Sequence, residues 1–199
     1  MTLIVKNALM IHLPKTGGSF LREVIKKFEP TAKEYKQNGI HGKLEVVKKE
    51  YEHDFTFSIV RHPISWYESA WKHIKSVTIS GIGWGNRDPH PLSDLDKIFD
   101  KDFSKFIDNV IREMPGYYSK ALEEYLGKDF AEVDFVAKTE TLYDDSAKLL
   151  DKLGIKYNID IIRKSQKFQR SDKTINWKEG QKENILQLES KVIEKFYSK

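Results

Sequence analysis

The chain has 199 residues, and 34 Lys and Arg against 30 Asp and Glu leave a formal charge of +4. A balance this mild gives no footprint of a nucleic-acid partner, and the length suits a single domain with a sizeable core. There is no cysteine, which excludes a disulfide scaffold, a thiolate metal centre and a thiol nucleophile. No apolar run reaches the length of a membrane span. Met1 to Lys6 lacks the layout of a signal peptide, so a soluble cytoplasmic protein is the expectation.

Ala8 to Leu13 is a short apolar run ended by Pro14, which reads as a buried strand. Phe20, Leu21, Val24, Ile25 and Phe28 then recur at helical spacing until Pro30. Leu44 to Tyr51 reads as a short charged helix and Phe55 to Val60 as a second buried strand. Pro63 suits the first turn of a helix carrying Trp66, Tyr67, Ala70, Trp71 and Ile74. Thr78 to Pro91 reads as a loop of about fourteen residues, long enough to suggest a lid or binding loop. Ser93 and Asp96 resemble a capping box ahead of one long apolar stripe from Leu95 to Ile111, with Asp94, Asp100 and Asp102 on its wet face. Asp134 to Lys138 is a third strand, and Thr141 with Asp144 opens a helix that Gly154 closes. Residues 157–176 read as irregular and basic, before a last amphipathic helix from Ile185 to Phe196. Strands alternating with helices predict a three-layer α/β domain over 1–199, with a mostly parallel central sheet and helices on both faces.

The most informative segment is Pro14-Lys15-Thr16-Gly17-Gly18-Ser19-Phe20, between a strand and a helix. The first backbone N–H groups of a helix have no intrahelical partner, and the helix dipole favours an anion there. Gly17 and Gly18 permit close approach of a ligand. Thr16 and Ser19 add hydroxyls, and Lys15 adds a point charge. A nucleotide kinase or ATPase loop places Lys after the glycines, and here Lys comes first. Gly42-Lys43 and Gly127-Lys128 are followed by Leu44 and Asp129, so neither supplies the hydroxyl that holds Mg²⁺. The bland reading of Lys15 to Ser19 is a glycine turn with a solvent lysine.

The loop resembles the 5′-phosphosulfate loop of sulfotransferases that use 3′-phosphoadenosine 5′-phosphosulfate (PAPS). Arg61-His62-Pro63 followed by Trp66-Tyr67-Glu68-Ser69 resembles that family's 3′-phosphate motif, with Ser69 eight residues after Arg61. Arg suits such a site because its planar fork binds phosphate oxygens bidentately. Phe135 to Glu140 resembles the family's third strand segment, and Arg163-Lys164-Ser165 its late basic loop. The resemblance is closest to the carbohydrate-type branch.

It implies a P-loop NTPase-like sulfotransferase fold, with PAPS as co-substrate and no metal. It implies in-line transfer of a sulfuryl group to a hydroxyl or amine, a sugar being one candidate acceptor. Lys15, Thr16, Gly17, Gly18, Ser19, Phe20, Arg61, Ser69, Arg163, Lys164 and Ser165 would bind the donor. Lys15 would stabilise the leaving phosphate, and His41 would act as base. His62 is the second choice of base. His62, Trp84 and His90 are substrate-contact candidates and Trp66 a candidate acceptor-site aromatic, while Tyr67 and Trp71 read as core. A P-loop kinase or NTPase, and a non-catalytic nucleotide-binding module, are the competing readings.

Overall fold

The structure, a computed structural model, describes residues 2–35, 42–80, 90–165 and 175–198. In chain order the elements are β1 (Leu3–Val5), β2 (Ala8–Met10), α1 (Gly18–Phe28), β3 (Lys33–Glu34), α2 (Leu44–Glu50), β4 (Phe55–Val60) and α3 (Pro63–Ile79). There follow α4 (Ser93–Lys97), α5 (Phe103–Glu113), α6 (Tyr117–Leu126), β5 (Phe135–Lys138), α7 (Leu142–Lys152), α8 (Ile159–Lys164), α9 (Gln181–Leu188) and α10 (Ser190–Phe196). The described residues cluster into two compact units. One is drawn from 1–61 and 122–169, the other from 62–121 and 170–199.

The first unit holds the sheet, with strand order β3-β1-β2-β4-β5 and flanking helices. β2, β4 and β5 are parallel, as their apolar runs suggest. β1 instead pairs antiparallel with both β2 and β3, so the sheet is mixed rather than mostly parallel. The reason is local. Val5 pairs with Ala8 across a two-residue turn, and an antiparallel pair needs no crossover. Lys6 takes φ 50 in that turn. Its Nζ donates to the Leu153 and Gly154 carbonyls at 2.9 and 3.1 Å, beyond the end of α7, where a cation is favoured.

Side chains alternate across β4. Phe57 and Ile59 join Leu21, Val24 and Ile25 of α1, Leu149 and Leu150 of α7, and Ile162 of α8 in one core. α7 ends as its glycine suggests. Gly154 has φ 60 and donates to Asp151, and Ile155 donates to Leu150, a Schellman closure. The segment read as irregular contains α8, whose first turn is capped by the Asn158 side chain accepting from Asp160 N–H.

The second unit is helical. Trp66, Tyr67, Trp71, Phe103, Phe106 and Tyr118 are all fully buried in it. Trp66 stacks on Tyr118 at 4.4 Å, which makes it core rather than an acceptor-site aromatic. The long stripe from Leu95 breaks into α4 and α5. Asp102 is exposed, as the wet-face reading expects, and it also accepts from Ser104 and Lys105 N–H as the N-cap of α5. Ser93 begins α4 without a side-chain cap. α6 carries Tyr118, Ala121, Leu122, Tyr125 and Leu126 at helical spacing, a pattern present in the sequence but not assigned from it. The last helix divides at Glu189 into α9 and α10.

Candidate functional site

β2 delivers the chain to Pro14, and α1 carries it away from Gly18. The segment between lies beyond the carboxyl ends of parallel strands, where open α/β sheets bind ligands. Thr16 closes it locally by donating its hydroxyl to the Leu13 carbonyl at 2.7 Å, and is wholly buried. Lys15 adopts φ 71 and Gly17 φ 98, while Thr16 and Gly18 stay at negative φ. Such alternation turns successive N–H groups toward one side, the concavity that binds anions.

The loop carbonyls point into the protein. Arg61 Nη1 donates to the Lys15 carbonyl at 3.3 Å. Thr139 Oγ1 lies 2.6 Å from the Thr16 carbonyl and 3.0 Å from the Val60 carbonyl, and donates toward both. The Gly17 carbonyl accepts from Leu21 N–H at 3.3 Å, which starts the α1 ladder. All peptides among the described residues are trans, so each inward carbonyl sends the next N–H the opposite way. The amides of Thr16 and Gly17 therefore face away from Arg61 and Thr139.

The two glycines have reasons inside the protein. A Cβ on Gly18 would lie 2.1 Å from His12 Nε2, so the buried His12 ring occupies that space. A Cβ on Gly17 would lie 3.0 Å from Leu142 Cδ2, and its φ is in the left-handed region. Lys15 is half-buried and Ser19 exposed on the first turn of α1. Phe20 is buried and meets Tyr143 edge-on at 5.4 Å. The Tyr143 hydroxyl donates to the Ser165 carbonyl at 3.2 Å, which ties the end of α8 to the first turn of α1. Arg163 and Lys164 are exposed on the last turn of α8.

A carboxylate steadies the turn after β5. Asp145 Oδ2 accepts from Thr141 Oγ1 at 2.6 Å and from Lys138 N–H at 2.9 Å. Burial raises the Asp145 pKa, but these bonds and Lys148 outweigh it and hold the carboxyl below its usual value. Thr141 thus bonds to Asp145 rather than capping α7 with its side chain.

Lys15, Thr16, Gly17, Gly18, Ser19, Phe20 and Arg61 are brought together in the first unit, with Arg163, Lys164 and Ser165 reached through Tyr143. Ser69 and His62 belong to the second unit. Ser69 is half-buried on α3. The His62 ring meets Tyr197 at 5.2 Å, and its carbonyl accepts from Trp66 N–H at 2.9 Å. His90 is turned to local structure. Its Nδ1 accepts from Leu92 N–H at 3.2 Å and its carbonyl from Ser93 N–H at 2.7 Å. His41 and Trp84 lie outside the described residues. Thr139, Asp145 and His12 were not singled out as site residues. Their roles depend on contacts across 123, 7 and a few residues of chain, which no single motif spells out. Among the described residues no group of three or more His, Asp or Glu side chains is placed to hold a metal ion, and no helix is long and apolar enough to cross a membrane.

A lysine-led turn of outward-facing amides beyond parallel strands, with a guanidinium at its back, has the chemistry of the anion sites that α/β proteins build there. The family model described as the sulfotransferase family matches residues 5–199, and the chain belongs to that family. Its members generally take the sulfate group from PAPS. Comparison with curated proteins and with solved structures gives no match.

Proposed function

We propose that this chain transfers a sulfuryl group from PAPS to a hydroxyl or amine. The observation that carries this reading is the loop itself: its carbonyls are engaged behind it, so the amides of Thr16 and Gly17 face the other way, on a segment that also carries Lys15 and Ser19. The donor set has the right chemistry for a nucleotide with an anion at each end. Backbone amides and an ammonium suit the 5′ end, and a guanidinium suits a phosphate. When bound, PAPS supplies an activated sulfuryl group and departs as adenosine 3′,5′-bisphosphate.

In this reading Lys15 and the amides of Thr16, Gly17 and Gly18 hold the 5′ anion. They also take up the negative charge that grows on the leaving oxygen as transfer proceeds. Arg61, with Ser69 as the second member of its sequence motif, holds the 3′-phosphate. Arg163, Lys164 and Ser165 supply further donors. His41 takes the proton that the acceptor releases, a task for which imidazole is the commonest side chain. His62, Trp84 and His90 stand as acceptor contacts. Similarity to the carbohydrate-type branch puts sugars first among acceptors.

The test has two arms. PAPS labelled in its sulfate is incubated with the chain and with sugar, phenol and amine acceptors; label should move to one of these classes. Arg61→Ala should weaken adenosine 3′,5′-bisphosphate far more than adenosine 5′-phosphate in calorimetry. Equal losses for the two nucleotides would remove Arg61 from the 3′ end, and no transfer to any class would overturn the proposal.

A further inference from the structure

We infer that Thr139 is a positioning residue for the donor loop, acting through one hydroxyl that sets two peptides at once. The inference rests on the sulfotransferase reading for its ligand, but its geometry stands apart from it. Thr139 follows β5 directly, and its Oγ1 sits between the Thr16 carbonyl at 2.6 Å and the Val60 carbonyl at 3.0 Å. The Thr16 carbonyl shares its peptide with the Gly17 amide. The Val60 carbonyl shares its peptide with Arg61. A single proton donor thus turns a cradle amide outward and fixes the backbone from which the Arg61 guanidinium springs.

The Thr16–Gly17 peptide lies outside regular structure, and the Val60–Arg61 peptide is the last of β4, where the pairing with β5 ends at Lys138. Sequence neighbours do not hold them either, since Thr139 is 123 residues from Thr16 and 79 from Val60. Without the hydroxyl the two carbonyls face each other and lose the donor they share. Like dipoles repel there, and the Thr16–Gly17 peptide is free to rotate, which would turn the Gly17 amide out of the cradle. Thr139 also packs on Gly17. A Cβ there would meet its Oγ1 at 3.7 Å and its Cγ2 at 3.8 Å. Thr139 is in turn braced, because Asp145 holds both Lys138 N–H and the Thr141 hydroxyl on either side of it. The positive φ of Lys15 and Gly17 is the conformation this clasp maintains.

Two variants separate the hydroxyl from the shape. Thr139→Val keeps the volume and loses the donor; Thr139→Ser keeps the donor and loses a methyl. Two readouts separate this inference from the sulfotransferase reading. The first needs no ligand: the amide resonance of Gly17, whose nitrogen responds to hydrogen bonding at the Thr16 carbonyl. It should move in Thr139→Val and return in Thr139→Ser. The second is calorimetry with adenosine 3′,5′-bisphosphate. Thr139→Val should bind about tenfold more weakly, a loss of ~1.4 kcal/mol, and Thr139→Ser should stay near the wild type. A Gly17 resonance and an affinity unchanged in Thr139→Val would overturn the inference and leave the donor reading standing. Equal defects in both variants would overturn it too, because packing alone would then account for Thr139. A wild-type chain blind to the bisphosphate would sink the donor reading instead, and the Gly17 resonance would still decide for or against Thr139.

Discussion

At the scale of single residues, the loop combines a strained backbone with the charge that the proposed transfer would use. Lys15 holds φ 71, a region that costs a non-glycine residue about 1–2 kcal/mol. Strain of this kind persists where surrounding contacts over-determine it, and here Arg61 and Thr139 do so. Lys15→Gly therefore divides stability from function. Glycine relieves the strain but gains freedom in the unfolded chain, and these terms are of similar size, about 1 kcal/mol each. The Tm of Lys15→Gly should match or slightly exceed that of the parent chain, while sulfuryl transfer falls by about two orders of magnitude, as for loss of one oxyanion donor. Transfer at the parent rate would show that the ammonium plays no part. A fall in Tm of several degrees would show that its stem is needed for the fold.

Elements meet through buried polar groups as much as through apolar faces, and Glu189 is the clearest case. It is fully buried where α9 gives way to α10. Its Oε1 accepts from Tyr67 Oη at 2.6 Å and Tyr118 N–H at 3.1 Å, and its Oε2 from Ser119 N–H at 2.8 Å and Ser119 Oγ at 2.6 Å. The carboxylate thus caps the first turn of α6 from another helix, where N–H groups lack partners and the dipole favours an anion. Burial pushes the Tyr67 hydroxyl well above its ordinary pKa, with the charge and hydrogen bond of Glu189 adding to it, so Tyr67 stays a donor. Glu189→Ala would strand four donors, a loss of about 3–5 kcal/mol in urea unfolding. Glu189→Gln keeps the shape and should lose less, which covers the case in which the alanine variant does not fold. A change under about 1 kcal/mol in both would show that water replaces the carboxylate without penalty.

Glu189 also explains why one helix was expected over 185–196. The periodicity of that segment is intact, and the break falls at the residue whose carboxylate bonds to the start of α6. The same distinction runs through the sheet. β2, β4 and β5 are legible because buried parallel strands are continuous apolar runs. β1 and β3, of three and two residues, are too short for any period, and the turn at Lys6 lacks the glycine that marks such hairpins. The Lys6 turn is held instead by its ammonium at the end of α7, a contact 147 residues away in sequence.

On the scale of the whole molecule, charge and site make different demands. The loop and the Arg61 strand end were legible because each is a compact string beside a strand. The clasp behind the loop was not, since Thr139 and Asp145 look like an ordinary helix start. A net charge of +4 would draw any polyanion weakly. A built cradle would instead select one arrangement of phosphates. Adenosine 3′,5′-bisphosphate and ATP without metal carry similar charge, about four negative charges each at pH 7.5, because the second pKa of a phosphate is near 6. A bulk-charge effect predicts equal stabilisation by the two. The cradle predicts stabilisation by the bisphosphate alone. At a hundredfold excess over its Kd, a ligand of the folded state adds about 2.7 kcal/mol. For a chain of this size that raises Tm by roughly 5–10 °C. ATP at the same concentration should raise it by no more than about 2 °C, and Lys15→Gly should cut the bisphosphate response to about half, as a tenfold weaker Kd would. Equal shifts with both nucleotides would mean that the loop is a basic surface and not a site for a 3′-phosphorylated donor.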